Sequence, residues 1–107
     1  MSTPTATSTL TTVCWVLEGR HDELRGLLDL YLDALHRLDL AQAAGVWQDR
    51  QRTALAFRVA WATPEGPAEA CQVPLLARIR ARMDSLCREQ RVSLGSALPT
   101  HLDLQSG

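Results

Sequence analysis

Three histidines and three cysteines are the side chains of this chain best suited to bind a metal or attack a substrate. Cys14 and His21 stand seven residues apart, which on a helix is two turns, or about 10 Å along the axis. That separation is too long for one ion without a bend. The sequence has no C-x-x-C, H-x-x-x-H or H-E-x-x-H string, so no metal site is expected. No G-x-S-x-G elbow exists, and SLGSAL at 93–98 has the wrong spacing for one. Cys71 has no marked imidazole partner and reads as a small hydrophobe. Asp29 and Asp33 lie four residues apart, bracketed by Arg25 and Arg37. That order is a surface ion ladder rather than an acid–base pair. Glycine-rich phosphate loops are absent, and so is lysine. Schiff-base chemistry and a phosphate-gripping lysine are therefore excluded. No catalytic residue and no cofactor follow from these strings, and the expectation is a protein that is not an enzyme.

Arg78, Arg80, Arg82, Arg88 and Arg91 form a basic run near the end of the chain. No aromatic residue interleaves with them, and the formal net charge is −1. Neither feature suits a protein that lives by phosphate contacts, so no direct nucleic-acid partner is expected. The first 38 residues carry −2 and residues 71–107 carry +2.

The elements that would hold these groups read mainly α. The chain has 107 residues, 46% hydrophobic and 21% charged, which suits one small domain. Leu and Ala dominate, and both are strong helix formers. Leu10, Leu17, Leu24, Tyr31 and Leu38 recur every seven residues, interleaved with Cys14, His21, Leu28 and Leu35. That is an a/d seam. A helix over 22–38 follows, and 10–18 is its continuation, a separate short helix or a strand. Asp39 and Gln42 suggest a capping box for a second helix, on which Trp47, Arg50, Ala54, Phe57 and Trp61 share a face. The competing reading is a period-two strand, because Leu55, Phe57, Val59 and Trp61 alternate with Ala56, Arg58 and Ala60. TPEGP at 63–67 would then turn the chain into AEACQV, a hairpin at about 53–73. Seven alanines within 41–62 favour the helix. Pro74 opens a third helix over about 74–93, with Gly95 as its stop.

The expected architecture is thus a small helical domain of about three helices over 9–98, dimeric, with α+β as the alternative. Residues 1–8 read as a disordered tail and 99–107 as a loose one. No segment reads as a signal peptide or a membrane span, and an odd number of cysteines fits free thiols in the cytoplasm. One helix pair cannot easily bury both the seam and the flanking leucines, and Trp is enriched at binding hot spots. Leu28, Tyr31, Leu35, Trp47, Phe57 and Trp61 are therefore the candidate protein interface.

The Thr-rich opening MSTPTATSTLTTVCWVLEGRHDEL, the segment GLLDLYLDALHRLDL and the basic PLLARIRARMDSLCREQ together resemble the QslA-type quorum-sensing antiactivators. The likeness runs over the whole chain, and no functional residue carries over position by position. It implies a small cytoplasmic homodimer that binds the ligand-binding domain of a LuxR-type transcription regulator. Binding would block the regulator's own dimerisation and so its access to DNA. The alternatives are another small helical binding protein, such as a secretion-type chaperone or phage inhibitor, and a thiol-based redox sensor using Cys14, Cys71 or Cys87.

Overall fold

The computed structural model describes residues 9–95 and 104–106. The expected tail at 1–8 lies outside the described residues. Of the expected tail at 99–107, only 104–106 are described, as a short strand.

The chain runs β1 (Thr9–Val16), α1 (His21–Arg37), β2 (Ala41–Asp49), β3 (Ala54–Trp61), α2 (Gly66–Cys71), α3 (Pro74–Ser85), β4 (Cys87–Leu94) and β5 (Leu104–Ser106). All pairings are antiparallel, and the strand order is β4-β1-β3-β2-β5. β1 and β2 flank β3, and α1 connects them. β3 and β4 flank β1, and α2 and α3 connect them. These are two split β-α-β units, the ferredoxin-like α+β arrangement. The mainly α expectation is therefore corrected.

Residues 22–38 form the expected helix almost as read. Leu24, Leu28, Tyr31 and Leu35 of α1 are buried on one stripe. The partner of that stripe is a sheet and α3 rather than a second seam helix. Leu10 and Cys14 fit the heptad by coincidence, since both also fit the alternation Leu10, Thr12, Cys14, Val16 on one face of β1. The ends of the supposed seam, Leu17 and Leu38, are exposed. Asp39 caps no second helix. It adopts φ 58° just past the end of α1, while the Leu40 amide donates to the Leu35 carbonyl and the Asp39 amide to that of His36. This pair of bonds closes the helix as a Schellman motif. The ion ladder of α1 is present, with Arg25–Asp29 at 3.1 Å and Arg37–Asp33 at 2.8 Å.

The segment read as a second helix is instead the hairpin β2–β3. Alanine's helix preference is worth only a few tenths of a kcal/mol per residue. Burial of Leu55, Phe57, Val59 and Trp61 along one face of the central strand is worth far more. TPEGP does not turn into a strand; it leads into α2, with Pro67 in the first turn. The third helix ends at Ser85, and Cys87 begins an edge strand whose charged Arg88, Glu89 and Arg91 are exposed. Charges on an edge strand discourage pairing with another chain.

A carboxylate closes the β2–β3 hairpin. Asp49 accepts from the Thr53 amide at 2.8 Å, the Thr53 hydroxyl at 2.6 Å and the Ala54 amide at 3.0 Å. Burial alone would push its pKa up, but these hydrogen bonds outweigh burial and hold it below the ordinary 3.8. The Thr53 carbonyl in turn accepts from the Val16 amide of β1. Asp49→Asn is expected to cost about 2 kcal/mol, the order for charge-assisted hydrogen bonds to a buried group, read from urea unfolding at neutral pH. Because the folded pKa is depressed, this contribution is present above the unfolded pKa and fades as pH falls through the folded value. The gap between wild type and variant must therefore shrink in acid.

Candidate functional site

The helices cover one face of the sheet, and the cover is incomplete. A cavity of about 300 Å³ lies between β1, β3, β4 and the helices. Its sheet side presents Thr12, Phe57, Val59 and Trp61, and its helix side presents Tyr31, Cys71 and Arg80. A smaller recess of about 180 Å³ between α1, α2 and α3 shares Tyr31, Cys71 and Arg80 with it. The two spaces adjoin along those three side chains.

Each wall has a local cause. Strict alternation along β3 places Phe57, Val59 and Trp61 on the helical side. α2 approaches closely because residue 66 is glycine. A Cβ there would stand 2.7 Å from Cε3 of Trp61, closer than packed atoms tolerate. Arg80 occupies the same face of α3 as the buried Leu76 and Met83, so its stem enters the apolar layer.

The polar groups in this space are few and specific. Arg80 donates through Nε to Asp84 at 3.1 Å and through Nη2 to Gln90 at 3.0 Å, and Gln90 donates to Asp84 at 2.7 Å. Its guanidinium carbon lies 5.5 Å from the centre of the Phe57 ring and 6.0 Å from that of Tyr31, within cation–π range. Burial works against its charge, but Asp84 and its other neighbours prevail and hold the guanidinium protonated. Burial pushes the Tyr31 phenol above its ordinary value, and Arg80 opposes that shift. The indole N–H of Trp61 is buried and has no acceptor among the described residues.

Cys14 and Cys87 are neighbours. Hydrogen bonding to Cys87, then burial, pushes the Cys14 thiol far above the thiol range, and the same contact with Cys14 lowers the Cys87 thiol. Cys71 is exposed at the mouth of the cavity. Among the described residues, no three metal-ligating side chains gather.

Of the six residues read as a protein interface, Leu28, Tyr31, Leu35, Phe57 and Trp61 are buried inside this one chain. Trp47 is half-buried on the opposite face of the sheet, where it pairs with Ala56 and lies 4.6 Å beneath Arg58. Tyr31, Phe57 and Trp61 meet at the cavity. The sequence marks Arg80 only as one of a basic run and Cys71 only as a small hydrophobe or candidate thiol, and it does not mark Thr12. For Arg80 a signal existed: a charge at the four–three spacing of an apolar stripe.

No family model matches the chain, and no curated protein matches it. Solved structures do. An antibiotic biosynthesis monooxygenase superimposes with TM-score 0.71 at 15% identity, over 85% of this chain and 98% of that one. Rv0793 from Mycobacterium tuberculosis gives 0.70 at 16%, over 85% and 94%. SnoaB from Streptomyces nogalater, described as a cofactor-independent oxygenase, gives 0.67 at 14%, over 87% and 96%. At such identity the likeness establishes the fold, that of the antibiotic biosynthesis monooxygenases. It overturns the all-α antiactivator expected from the sequence, with its quorum-sensing role. The other helical binding proteins and the redox sensor find no support in it, and the expectation that the chain is no enzyme is corrected by these oxygenase-type neighbours. No described helix is long and apolar enough to cross a membrane.

Gly66→Ala tests the construction of the wall. The added methyl must displace the Trp61 ring, at a cost of about 1–3 kcal/mol. A shift of tryptophan emission together with a lower urea midpoint is expected. An unchanged spectrum at wild-type stability would mean that α2 and Trp61 are not in contact.

Proposed function

We propose that the sheet–helix cavity binds a small, flat aromatic alcohol as its anion and that dioxygen oxidises it there. The observation that carries this reading is one cation in an otherwise apolar, aromatic-walled space. Arg80 holds its guanidinium over Phe57 and Tyr31. A hydrocarbon ligand would leave that charge unused, and a strongly charged one would not tolerate the aromatic walls. The phenolate of a flat aromatic alcohol meets both conditions.

The chemistry follows from the anion. Arg80 stabilises the deprotonated oxygen, lowering the ligand's pKa in the site. The electron-rich ring of that anion is what dioxygen attacks. With 1-naphthol as probe, one oxygen atom enters the ring at C4 and the other leaves as water. One naphthol and one dioxygen give one 1,4-naphthoquinone and one water, so the substrate supplies all the electrons. That SnoaB, a cofactor-independent oxygenase by description, has this fold supports a reaction of this class.

Binding is measured by tryptophan quenching and by protection of Cys71 from iodoacetamide. Turnover is measured as naphthoquinone formed per dioxygen consumed. The expected results are saturable quenching, slowed Cys71 alkylation and a one-to-one ratio. Arg80→Met should weaken binding at least about tenfold, while stability changes by no more than about 1 kcal/mol, because partly exposed ion pairs contribute little. Binding by Arg80→Met at wild-type strength would sink the reading. Quenching with no oxygen uptake from 1-naphthol or its dihydroxy relatives would remove the oxidation step and leave a binding protein.

A further inference from the structure

The rim of the aromatic cavity is open along β4. On the helical face of the sheet, Gln90, Val92 and Leu94 alternate along that strand. They pair with Cys14, Thr12 and Leu10 of β1. One strand further in, Thr12 stands beside Phe57 and Leu10 beside Val59. Leu10, Thr12, Phe57, Val59 and Val92 all line the cavity. The helices stop short of the outer end of these rows, where Val92 is 56% exposed and Leu94 79%.

These exposed side chains stand on a pinned strand. The Gly95 amide donates to the Thr9 carbonyl at 2.8 Å, and the Thr11 hydroxyl donates to the Gly95 carbonyl at 2.6 Å. An apolar strip is thus held in water, and covering it is favourable. The strip is continuous with the cavity, because Val92 is both a lining residue and an exposed one.

The strip also has a direction. Arg80 donates to Gln90 at 3.0 Å, so Gln90 marks the end of the path where the cation sits. At the rise of a strand, Val92 lies about 7 Å beyond Gln90 and Leu94 about 14 Å. Glu89 and Arg91 alternate onto the other face, where they pair with Trp15 and Val13. The path from Gln90 to Leu94 is therefore apolar, and at its open end it is one strand wide.

We propose that the aromatic alcohol bound in this cavity carries an extended alkyl chain on the side away from its hydroxyl, and that Val92 and Leu94 select it. The inference rests on the reading of the cavity given above. With the oxygen at Arg80 and the ring beside Phe57, the chain leaves the cavity past Val92 and lies against Leu94 and Leu10. A phenol ring with a chain of about seven carbons spans the distance from Gln90 to Leu94. A second copy of this chain is a poorer occupant, since the exposed charges of β4 discourage edge pairing.

The test uses 4-ethyl-, 4-pentyl-, 4-heptyl- and 4-nonylphenol, each below its solubility limit. Their para position is occupied, so they report binding without oxidation. Dissociation constants are read from tryptophan quenching. A chain lying with one side on the strip gains about half the transfer energy of each methylene, so affinity should rise about twofold per carbon. That is about eightfold from 4-ethylphenol to 4-pentylphenol, and about fourfold more to 4-heptylphenol. 4-Nonylphenol should gain nothing further, because its last carbons pass Leu94 into water. Leu94→Gln should erase the step from 4-pentylphenol to 4-heptylphenol. Should that variant fold poorly, the wild-type series decides alone. A flat series overturns the proposal, and so does a gain that continues undiminished to 4-nonylphenol, the mark of unspecific adhesion. A Leu94→Gln series that matches the wild type overturns it too. If sedimentation shows that Leu94→Gln turns a wild-type dimer into a monomer, the strip belongs to an interface between copies and the proposal falls. Binding of all four phenols with a flat series leaves the reading of the cavity standing. Binding of none removes that reading, and this inference with it.

Discussion

The carboxylate of Asp49 sets the geometry on which both halves of the molecule rest. It holds three donors from Thr53 and Ala54, and so fixes where β2 ends and β3 begins. Side chains in a strand alternate, and a slip of one residue would turn every side chain to the other face. With Ala54 anchored, Leu55, Phe57, Val59 and Trp61 must face the helices. The same turn carries Arg52 at φ 61°, which brings its guanidinium to Asp22 at the start of α1. One buried acid therefore positions the aromatic wall on one side and a cation on the other.

The helical layer meets that wall on unequal terms. α1 contributes a continuous apolar stripe, fully buried at Leu24, Leu28 and Leu35. α3 contributes Leu76 and Met83, with Arg80 between them. A guanidinium cannot fill apolar space as leucine does, and its charge must be answered by Asp84 and Gln90. The gap left around it is the cavity. The group that weakens the core locally, Arg80, is the one a ligand would use.

Part of this was legible in the sequence. α1 was, because Leu24, Leu28, Tyr31 and Leu35 form a helical stripe whatever covers them. The start of α3 was, because Pro74 fits a first helical position. β2 was not: AQAAGVWQD is rich in a helix former, and only its pairing with β3 and the short β5 makes it a strand. β3 did show its alternation, but the count of alanines outweighed it. Three of them, Ala54, Ala56 and Ala60, are small residues on the second face of β3, and Ala54 and Ala56 are wholly buried. The end of α3 is not legible, because residues after Ser85 continue a polar pattern compatible with either state. Of the site, the aromatic members read as an interface, since Trp and Phe at regular spacing serve a core and a binding surface equally well. In the sequence His21 reads as one more seam position. No spacing signal distinguishes a satisfied core histidine from one whose nitrogens lack partners.

The close approach of α2 to the sheet also bears on how this chain can vary. A Cβ at residue 66 would meet the Trp61 ring at 2.7 Å, so a larger residue fits there only if the ring moves or shrinks. Residues 66 and 61 are five apart in sequence yet form one steric unit. A lineage that changes one of them is under pressure to change the other.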